Sequence, residues 1–282
     1  MPEKKLRVGI VGLPLLGREH KEWFEPGATH RLRSSVKAHL EEFSPELRKS
    51  KLSLVVEDCG EITRGREEMD AAVRKDTFAG ISKEVKGLDR KYDLLIVVGG
   101  RHTGGYPLHQ FPGKVVRVDF HPDTRALDTL NYASYLYHVL HDGLKTPKEI
   151  DNYGMEFEPV AYEDETPGSN RIKPPKGEPY NLYYEKTFWT RRRDIENARA
   201  PTFDIDGDGL HEKYKTTADS WYKSKNGVDA HRLGQAMIAS GPRRVGFFEY
   251  YEQHPDAKSY ERMIKALSKA ALMGVAKRLL RR

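Results

Sequence analysis

The strongest constraint on the fold is an alternation of short apolar runs with longer amphipathic stretches along most of the 282 residues. The apolar runs are rich in β-branched or aromatic residues. Several of them lack the in-and-out alternation of a half-buried strand, which predicts strands that are buried on both faces. We predict strands at 6–13, 52–58, 92–100, 114–120, 201–206 and 244–251.

The intervening stretches repeat apolar residues at helical spacing, which predicts helices at 30–43, 67–88, 127–141, 229–240 and 257–280. In the last of these, Lys and Arg gather toward the C-terminal end, where the helix dipole favours cations. Strands that alternate with helices are typical of a parallel sheet covered by helices on both sides. We therefore expect a single α/β domain over residues 1–282, a three-layer αβα arrangement with a mostly parallel central sheet.

One segment interrupts this alternation. Residues from about 143 to 200 are rich in Pro, Tyr, Glu and Lys, with a further helix predicted at 183–198. The segment is too short and too polar for a second domain, so we interpret it as an insertion that lies over one end of the sheet.

Composition excludes several classes of protein. No apolar run reaches the roughly 18 residues of a membrane-spanning helix, so we expect no membrane partner. Three glycines and a proline interrupt the apolar stretch near the N-terminus, which predicts a first strand and not a signal peptide. Cys59, the one cysteine, has no partner for an intrachain disulfide, which favours a reducing cytoplasm.

The charge balance describes a solvated surface. The 48 basic and 42 acidic residues leave a formal net charge of +6, and the basic clusters are scattered without a nucleic-acid-binding motif, so nucleic acid is not an expected partner. The glycine-rich segment after the first strand does not predict a nucleotide site either. The spacing from Gly12 to Gly17 fits a phosphate-binding loop, but Arg18 and Glu19 follow where Lys and Ser or Thr are needed.

Chemistry-bearing residues cluster where three predicted strands end. In an open parallel sheet, ligands bind outside the carboxyl ends of the strands. The period of two along a strand also sends Asp119, His121 and Asp123 to one side if that strand continues, and likewise Asp204 with Asp206. Six residues of metal-ligand type can therefore converge on one crevice, and these are His102, Asp119, His121, Asp123, Asp204 and Asp206.

Charge indicates how many ions this crevice would hold. Four ionised aspartates in one buried pocket repel one another unless cations are present, and two divalent ions neutralise all four. Oxygen and imidazole ligands without thiolate favour Mn²⁺ and also admit Zn²⁺, Fe²⁺ or Co²⁺. Taken alone, each cluster also fits a turn or a helix cap.

A calcium loop is an alternative interpretation of DIDGDGLHEKYK. Asp204, Asp206, Asp208 and Gly209 occupy suitable positions of such a loop. However, its last position is Lys215, where a bidentate Glu is needed, and the segment before it is strand-like.

The motifs together resemble those of the ureohydrolase family of arginases and agmatinases. GGRHTGG is similar to the family's GGDHS segment, VDFHPD to DAHxD, FDIDGDG to SFDxD, and FFEYYEQHP to D-x-x-E-x-N-P. The N-terminal VGLPLLG and EPGATHRLR are similar to its GxP and PGAxxxxR features. These motifs follow the family order over nearly the whole chain. The resemblance implies an arginase-like fold and a hydrolase with two manganese ions.

The resemblance also implies a role for individual residues. One ion would be held by His102, Asp119, Asp123 and Asp204. The other would be held by Asp119, His121, Asp204 and Asp206, so that Asp119 and Asp204 bridge the two ions together with a hydroxide.

Two further residues would act on the reactants. Asp123 would also orient the hydroxide through a hydrogen bond. Glu252 matches the family's glutamate that pairs with the planar cation of the substrate, for which a carboxylate is a suitable bidentate partner. Attack on the amidine carbon would give a tetrahedral intermediate, then urea and an amine.

Three positions depart from the family pattern. Arg101 stands where the family has Asp, beside His102. Ala133 stands where arginases and agmatinases carry a histidine, and His138 and His141 follow one and two turns later. Arg125 lies where arginases contact the amino-acid end of the substrate and would favour a substrate with an anionic tail.

We therefore expect a cytoplasmic, manganese-dependent hydrolase of a small linear guanidino or amidino compound, assembled as a homo-oligomer. One alternative is a hydrolase of a different C–N bond on the same fold. Another is a non-catalytic relative that holds a structural metal and binds a partner or nucleic acid through its basic surface.

Overall fold

The computed structural model of the chain describes residues 4–13, 28–62, 75–99, 102–119, 136, 139, 149–154, 195–210, 227–250 and 257–281. Within these ranges seven strands form one sheet in the order β2-β1-β3-β7-β6-β4-β5, and neighbouring strands are parallel throughout. The strands are β1 (Lys4–Gly12), β2 (Leu52–Glu61), β3 (Leu94–Val98), β4 (Lys114–Val118), β5 (Glu149–Tyr153), β6 (Thr202–Asp206) and β7 (Arg244–Phe248).

Helices cover both faces of the sheet. They are α1 (Ala28–Glu41), α2 (Ser44–Lys49), α3 (Lys75–Asp89), α4 (Ala230–Ser240) and α5 (Ala257–Leu280). Helices α1, α2, α4 and α5 contribute to the core on one face, whereas α3 and the helical residues Leu136 and Val139 pack on the other. The expected three-layer αβα architecture is confirmed.

Local signals in the sequence fix the boundaries of α4. Asp229 precedes the helix and its carboxylate accepts a hydrogen bond from the backbone N–H of Arg232 at 3.0 Å. Gly241 ends the helix in the left-handed conformation, with φ of +58°. A Cβ atom on Gly274 of α5 would collide with the carbonyl of Met237, so the absence of a side chain there lets α4 and α5 pack closely.

The predicted strands are all present, and several are shorter than expected. The strand predicted at 114–120 ends at Val118, so Asp119 follows the strand, and residue 120 lies outside the described ranges. Of the helix predicted at 127–141, the structure describes residues 136 and 139, and both are helical. The helix predicted at 67–88 is confirmed from residue 75, and residues 67–74 lie outside the described ranges.

The described part of the segment from 143 to 200 contains a strand that the sequence does not predict. Residues 149–153 form strand β5 at the edge of the sheet, beside β4. Of the helix predicted at 183–198, the structure describes residues 195–198. They contain the short 3-10 helix Ile195–Asn197, so this end of the predicted helix is wrong. Ile195 and Ala198 are buried in the core.

No helix in the described part of the chain combines the length and the apolar character that a bilayer crossing requires.

Candidate metal centre

The candidate site lies at the carboxyl ends of β3, β4 and β6, on the sheet face that also carries α3. Val116 and Val118 of β4 and Phe203 and Ile205 of β6 point into the core of the opposite face. Because side chains alternate along a strand, Asp204 and Asp206 point to the α3 side. The predicted convergence of residues from separate strand ends is therefore observed for the members that the structure describes.

Polar residues form a row across this face, perpendicular to the strands. Asn152, Arg117, Asp204 and Gly246 are register neighbours on β5, β4, β6 and β7. Nearer the carboxyl ends, Asp206 of β6 lies beside Phe248 of β7. Arg117, Asp204 and Asp206 are all buried, so the sheet carries a charged patch inside the protein.

His102 connects the charged groups of this patch. It begins a 3-10 helix, His102–Gly105, a few residues after β3, and its ring stacks on Phe248 with centroids 5.7 Å apart. Its Nδ1 atom lies 2.5 Å from Oδ2 of Asp119 and 3.1 Å from Oδ2 of Asp206. Its Nε2 atom lies 3.0 Å from Oδ1 of Asp204. The imidazole ring therefore separates Asp204 on one side from Asp119 and Asp206 on the other.

This arrangement is suited to a cation. Nε2 of His102 faces an oxygen of Asp204, whereas Nδ1 faces oxygens of Asp119 and Asp206. When Nε2 carries the proton toward Asp204, Nδ1 presents its lone pair among carboxylate oxygens, which is a position suited to a cation. His102, Asp119 and Asp206 each offer one ligand atom, and these three atoms lie within 4.8 Å of one another. Metal-binding histidines usually donate their second N–H to a carboxylate, which is the relation that Asp204 has to His102. The donor set fits a divalent ion with oxygen and nitrogen ligands.

The pKa values of the two β6 aspartates diverge. Burial, with the nearby charges of Asp208 and Glu249, raises the pKa of Asp206 well above its usual range. Burial also works to raise the pKa of Asp204, but the charge of His102 and hydrogen bonds from His102 and His109 hold it well below its usual range. The environment of Asp206 is therefore short of positive charge, which a bound ion would supply.

The residues that follow β6 also orient the side chain of Asp206. One of its oxygens accepts a hydrogen bond from the backbone N–H of Asp208 at 3.0 Å, so the other remains directed at His102.

Tyr260 of α5 donates a hydrogen bond to the carbonyl of Phe248 at 2.5 Å. Burial and the charge of Asp206 raise the pKa of this tyrosine. Helix α5 thereby fixes the end of β7 next to the site.

Two residues in contact with the site were not predicted from the sequence. His109 is fully buried, and its Nε2 atom donates to Oδ2 of Asp204 at 2.6 Å. Burial lowers the pKa of His109, although the hydrogen bond to Asp204 opposes this effect. Arg117, also fully buried, donates to Oδ2 of Asp119 and, at 3.3 Å, to Oδ1 of Asn152.

A signal for Arg117 is present in the sequence, since an arginine stands between two valines of the strand KVVRV, two residues before Asp119. Nothing comparable distinguishes His109, because its position depends on how residues 102–111 fold back over the sheet.

Two glycines allow that segment to approach the sheet. A Cβ atom on Gly246 would collide with Leu108, so the missing side chain leaves room for Leu108 to pack on β7. A Cβ atom on Gly105 would lie 2.7 Å from Oδ2 of Asp204. Both His102 and His109 therefore reach Asp204 from a segment that glycines hold close to the strands.

Glu249 immediately follows β7 and has a φ of +59°, a left-handed conformation that is uncommon for a residue with a side chain. Such conformations concentrate at functional sites, where the surrounding structure holds them. The remaining predicted site residues, His121, Asp123, Arg125 and Glu252, lie outside the described residues, as do Arg101 and Ala133.

No protein-family model and no curated protein matches the chain in sequence. Solved structures match it over nearly its whole length. A hypothetical agmatinase from Burkholderia thailandensis has a TM-score of 0.61 at 18% identity, covering 97% of this chain and 87% of that one. Arginase from Bacillus subtilis has a TM-score of 0.62 at 15% identity, covering 94% and 98%.

A Trypanosoma cruzi formiminoglutamase variant, whose structure is described with Mn²⁺, has a TM-score of 0.60 at 17% identity, covering 95% and 93%. The order and parallel pairing of the strands, with helices on both faces, agree with this likeness. The likenesses support the resemblance to ureohydrolases that the motifs indicate, and they show that the chain has the arginase-like α/β fold.

Proposed function

We propose that the chain is a metal-dependent hydrolase that cleaves a C–N bond of a linear guanidino or amidino compound. The observation that carries this proposal is the convergence of His102, Asp119 and Asp206 at one edge of an arginase-like sheet. Agmatinase, arginase and formiminoglutamase structures share this fold, and one of them is described with Mn²⁺. The single cysteine, Cys59, suits the reducing cytoplasm.

The proposed centre holds two divalent ions, with Mn²⁺ preferred for its oxygen and imidazole ligands. When bound, these ions would lower the pKa of a shared water and so provide a nucleophile at neutral pH. The residues that would hold them are those expected from the sequence, namely His102, Asp119, His121, Asp123, Asp204 and Asp206. Both oxygens of Asp204 face imidazoles, so Asp204 would join the ligands by exchanging its contact with His102 for an ion.

Other groups of the chain would act on the reactants. Asp123 accepts a hydrogen bond from the attacking water and orients it toward the amidine carbon. Glu252 pairs with the planar cation of the substrate through two hydrogen bonds. Arg125 binds an anionic tail of the substrate, which favours substrates that carry a carboxylate.

The described residues support this chemistry by orienting the ligands. Asp204 accepts from Nε2 of His102 at 3.0 Å and so fixes which nitrogen faces the site. Stacking on Phe248 limits rotation of the same ring. Because Asp119, Asp204 and Asp206 are almost completely buried, their charges act in a medium of low effective dielectric constant.

Hydrolysis assays test the proposal directly. The Mn²⁺-loaded chain is incubated with arginine, agmatine, guanidinobutyrate or formiminoglutamate, and release of urea, or of formamide from the last compound, is measured. We expect hydrolysis of at least one compound, loss of that activity in Asp206→Asn, and retention in Asp151→Asn, which alters a buried aspartate of β5 away from the centre.

Two results would count against the proposal in different ways. If the chain retained its metal but hydrolysed none of the four compounds, the result would favour a hydrolase of another C–N bond on this fold. Failure to bind any divalent ion would contradict metal-dependent catalysis altogether.

A further inference from the structure

We propose that Arg117 supplies a permanent positive charge to the metal centre. This charge stabilises the site when no ion is bound and weakens the binding of the ion. This inference rests on the proposed function, since it concerns the same centre. The guanidinium of Arg117 contacts Oδ2 of Asp119. That oxygen is also the one that faces Nδ1 of His102 at 2.5 Å.

The ion and Arg117 therefore compete for one atom. The candidate metal position lies among His102, Asp119 and Asp206, and the aspartate oxygens that face Nδ1 of His102 there are the two Oδ2 atoms. An ion bound there would share Oδ2 of Asp119 with the guanidinium, so two positive charges would meet at one carboxylate oxygen. Both would be buried, because Arg117 is 0% exposed and Asp119 is 1% exposed, and burial strengthens their repulsion.

Arg117 cannot avoid this repulsion by losing its proton, since arginine stays protonated in proteins. It is also restrained in position. Arg117 is the register neighbour of Asn152 on β5, whose Oδ1 accepts a hydrogen bond from it at 3.3 Å. Its other strand neighbour is Asp204 on β6. The guanidinium is thus held on this face of the sheet between Asn152 and Asp204.

The charges in the described part of the site explain what Arg117 contributes. Asp119, Asp204 and Asp206 are buried carboxylates on one face of the sheet. Without an ion, the permanent charge of Arg117 offsets one of them, which reduces the repulsion that would otherwise open the site. A site that is preassembled in this way can lose and regain its ion without unfolding. Hydrolysis would then depend on the concentration of free metal.

A comparison of four chains tests this role: wild type, Arg117→Met, Arg117→Lys and Lys114→Met. Lys114 is a matched control because it forms an ion pair with Asp151 across the same two strands, β4 and β5. Its Cα lies about 16 Å from that of Asp119, at roughly 3.3 Å per residue. Each chain is freed of metal with a chelator. Its unfolding temperature is measured, and Mn²⁺ binding is followed by titration calorimetry.

We expect the substitution of Arg117 by Met to reduce the stability of the metal-free chain and to increase its affinity for Mn²⁺. Arg117→Met lowers the unfolding temperature of the metal-free chain but binds Mn²⁺ more tightly, by roughly tenfold or more. Arg117→Lys, which keeps the charge, binds Mn²⁺ much as wild type does. Lys114→Met lowers the unfolding temperature and leaves the Mn²⁺ dissociation constant unchanged.

A purely structural role predicts that Arg117→Met lowers the unfolding temperature and leaves Mn²⁺ binding equal or weaker, and that result would overturn the inference. An Arg117→Met chain that folds only with Mn²⁺ present supports it, because the ion then replaces the guanidinium. A chain that stays unfolded at saturating Mn²⁺ overturns it.

The outcomes also separate the inference from the proposed function. If wild type binds no ion while Arg117→Met does, the inference holds and the metal-dependent function fails. If both bind with equal affinity, the function survives and the inference fails, whereas absence of binding in both overturns both.

Discussion

His109 donates a hydrogen bond from Nε2 to Oδ2 of Asp204 at 2.6 Å, and both side chains are completely excluded from solvent. The other oxygen of Asp204 faces Nε2 of His102 at 3.0 Å. Two imidazoles from one short segment after β3 therefore hold a single carboxylate of β6. This contact links the segment 102–111 to the sheet, and it makes the orientation of His102 depend on His109 through Asp204.

Removing the donor at position 109 should destabilise the chain. In His109→Phe, a buried carboxylate oxygen loses its hydrogen bond, which we expect to lower the free energy of unfolding by roughly 3 kcal/mol. Chemical denaturation of the metal-free chain measures this change. His231→Phe is the control, because His231 lies on the exposed side of α4 and should tolerate the same substitution. Equal stability of the two variants would show that the His109 contact contributes nothing.

Gly246 should not accept a side chain. In Gly246→Ala, the new methyl group meets Leu108 and the ring of Phe248, so the segment that carries both histidines must move away from β7. We expect a loss of about 1–3 kcal/mol in the free energy of unfolding, together with weaker Mn²⁺ binding, measured by denaturation and by titration.

Gly87→Ala is the matched control for that change. Gly87 lies in α3, and a Cβ atom there meets nothing within 4 Å, so the substitution should leave Mn²⁺ binding unchanged and stabilise the helix by about 0.5–1 kcal/mol. If Gly246→Ala bound Mn²⁺ as tightly as Gly87→Ala, the approach of Leu108 to β7 would not control the site.

Contacts at the amino-terminal end of β7 should contribute to the stability of the chain without changing its affinity for the metal. Arg244, at the start of β7, donates to Asp89 at 2.8 Å, and its guanidinium lies 3.7 Å from the centre of the Phe111 ring. Burial lowers the pKa of Arg244, although Asp89 opposes this effect. We expect Arg244→Met to cost about 3 kcal/mol in the free energy of unfolding, because Asp89 is left buried without this partner.

The Mn²⁺ dissociation constant of folded Arg244→Met should equal that of wild type. Arg244 begins β7, whereas Phe248, which contacts His102, lies four residues later at the carboxyl end of the strand. A large change in that constant would mean that the two ends of β7 are coupled and that the centre is not defined by its own contacts.

Much of the fold could be predicted from the sequence because buried parallel strands appear as continuous apolar runs. Strands such as LLIVV of β3 are apolar throughout, and their ends carry the residues that reach the site. Strand β5 was missed because EIDNY is polar and lies at the edge of the sheet, where Ile150 and Tyr153 alone supply apolar burial. An edge strand needs fewer apolar residues than a central one, so its pattern is weak.

The candidate site was predicted in part for a similar reason. His102, Asp119, Asp204 and Asp206 lie at or just beyond strand ends, and in a parallel sheet these ends share one edge. The partners of those residues depend on packing between segments. His109 reaches Asp204 because Gly246 and Gly105 let residues 102–111 approach the strands, and this relation across distant positions has no signature in any one stretch of sequence.

The central claim is that His102, Asp119 and Asp206 hold a divalent ion. Its most direct test is the Mn²⁺ content of wild type, Asp206→Asn and Asp151→Asn, measured by elemental analysis after loading and removal of free metal. We expect bound Mn²⁺ in wild type and Asp151→Asn, with two ions per chain for the proposed centre, and a clear reduction in Asp206→Asn. Wild type without any bound divalent ion, or with the same content as Asp206→Asn, would contradict the claim.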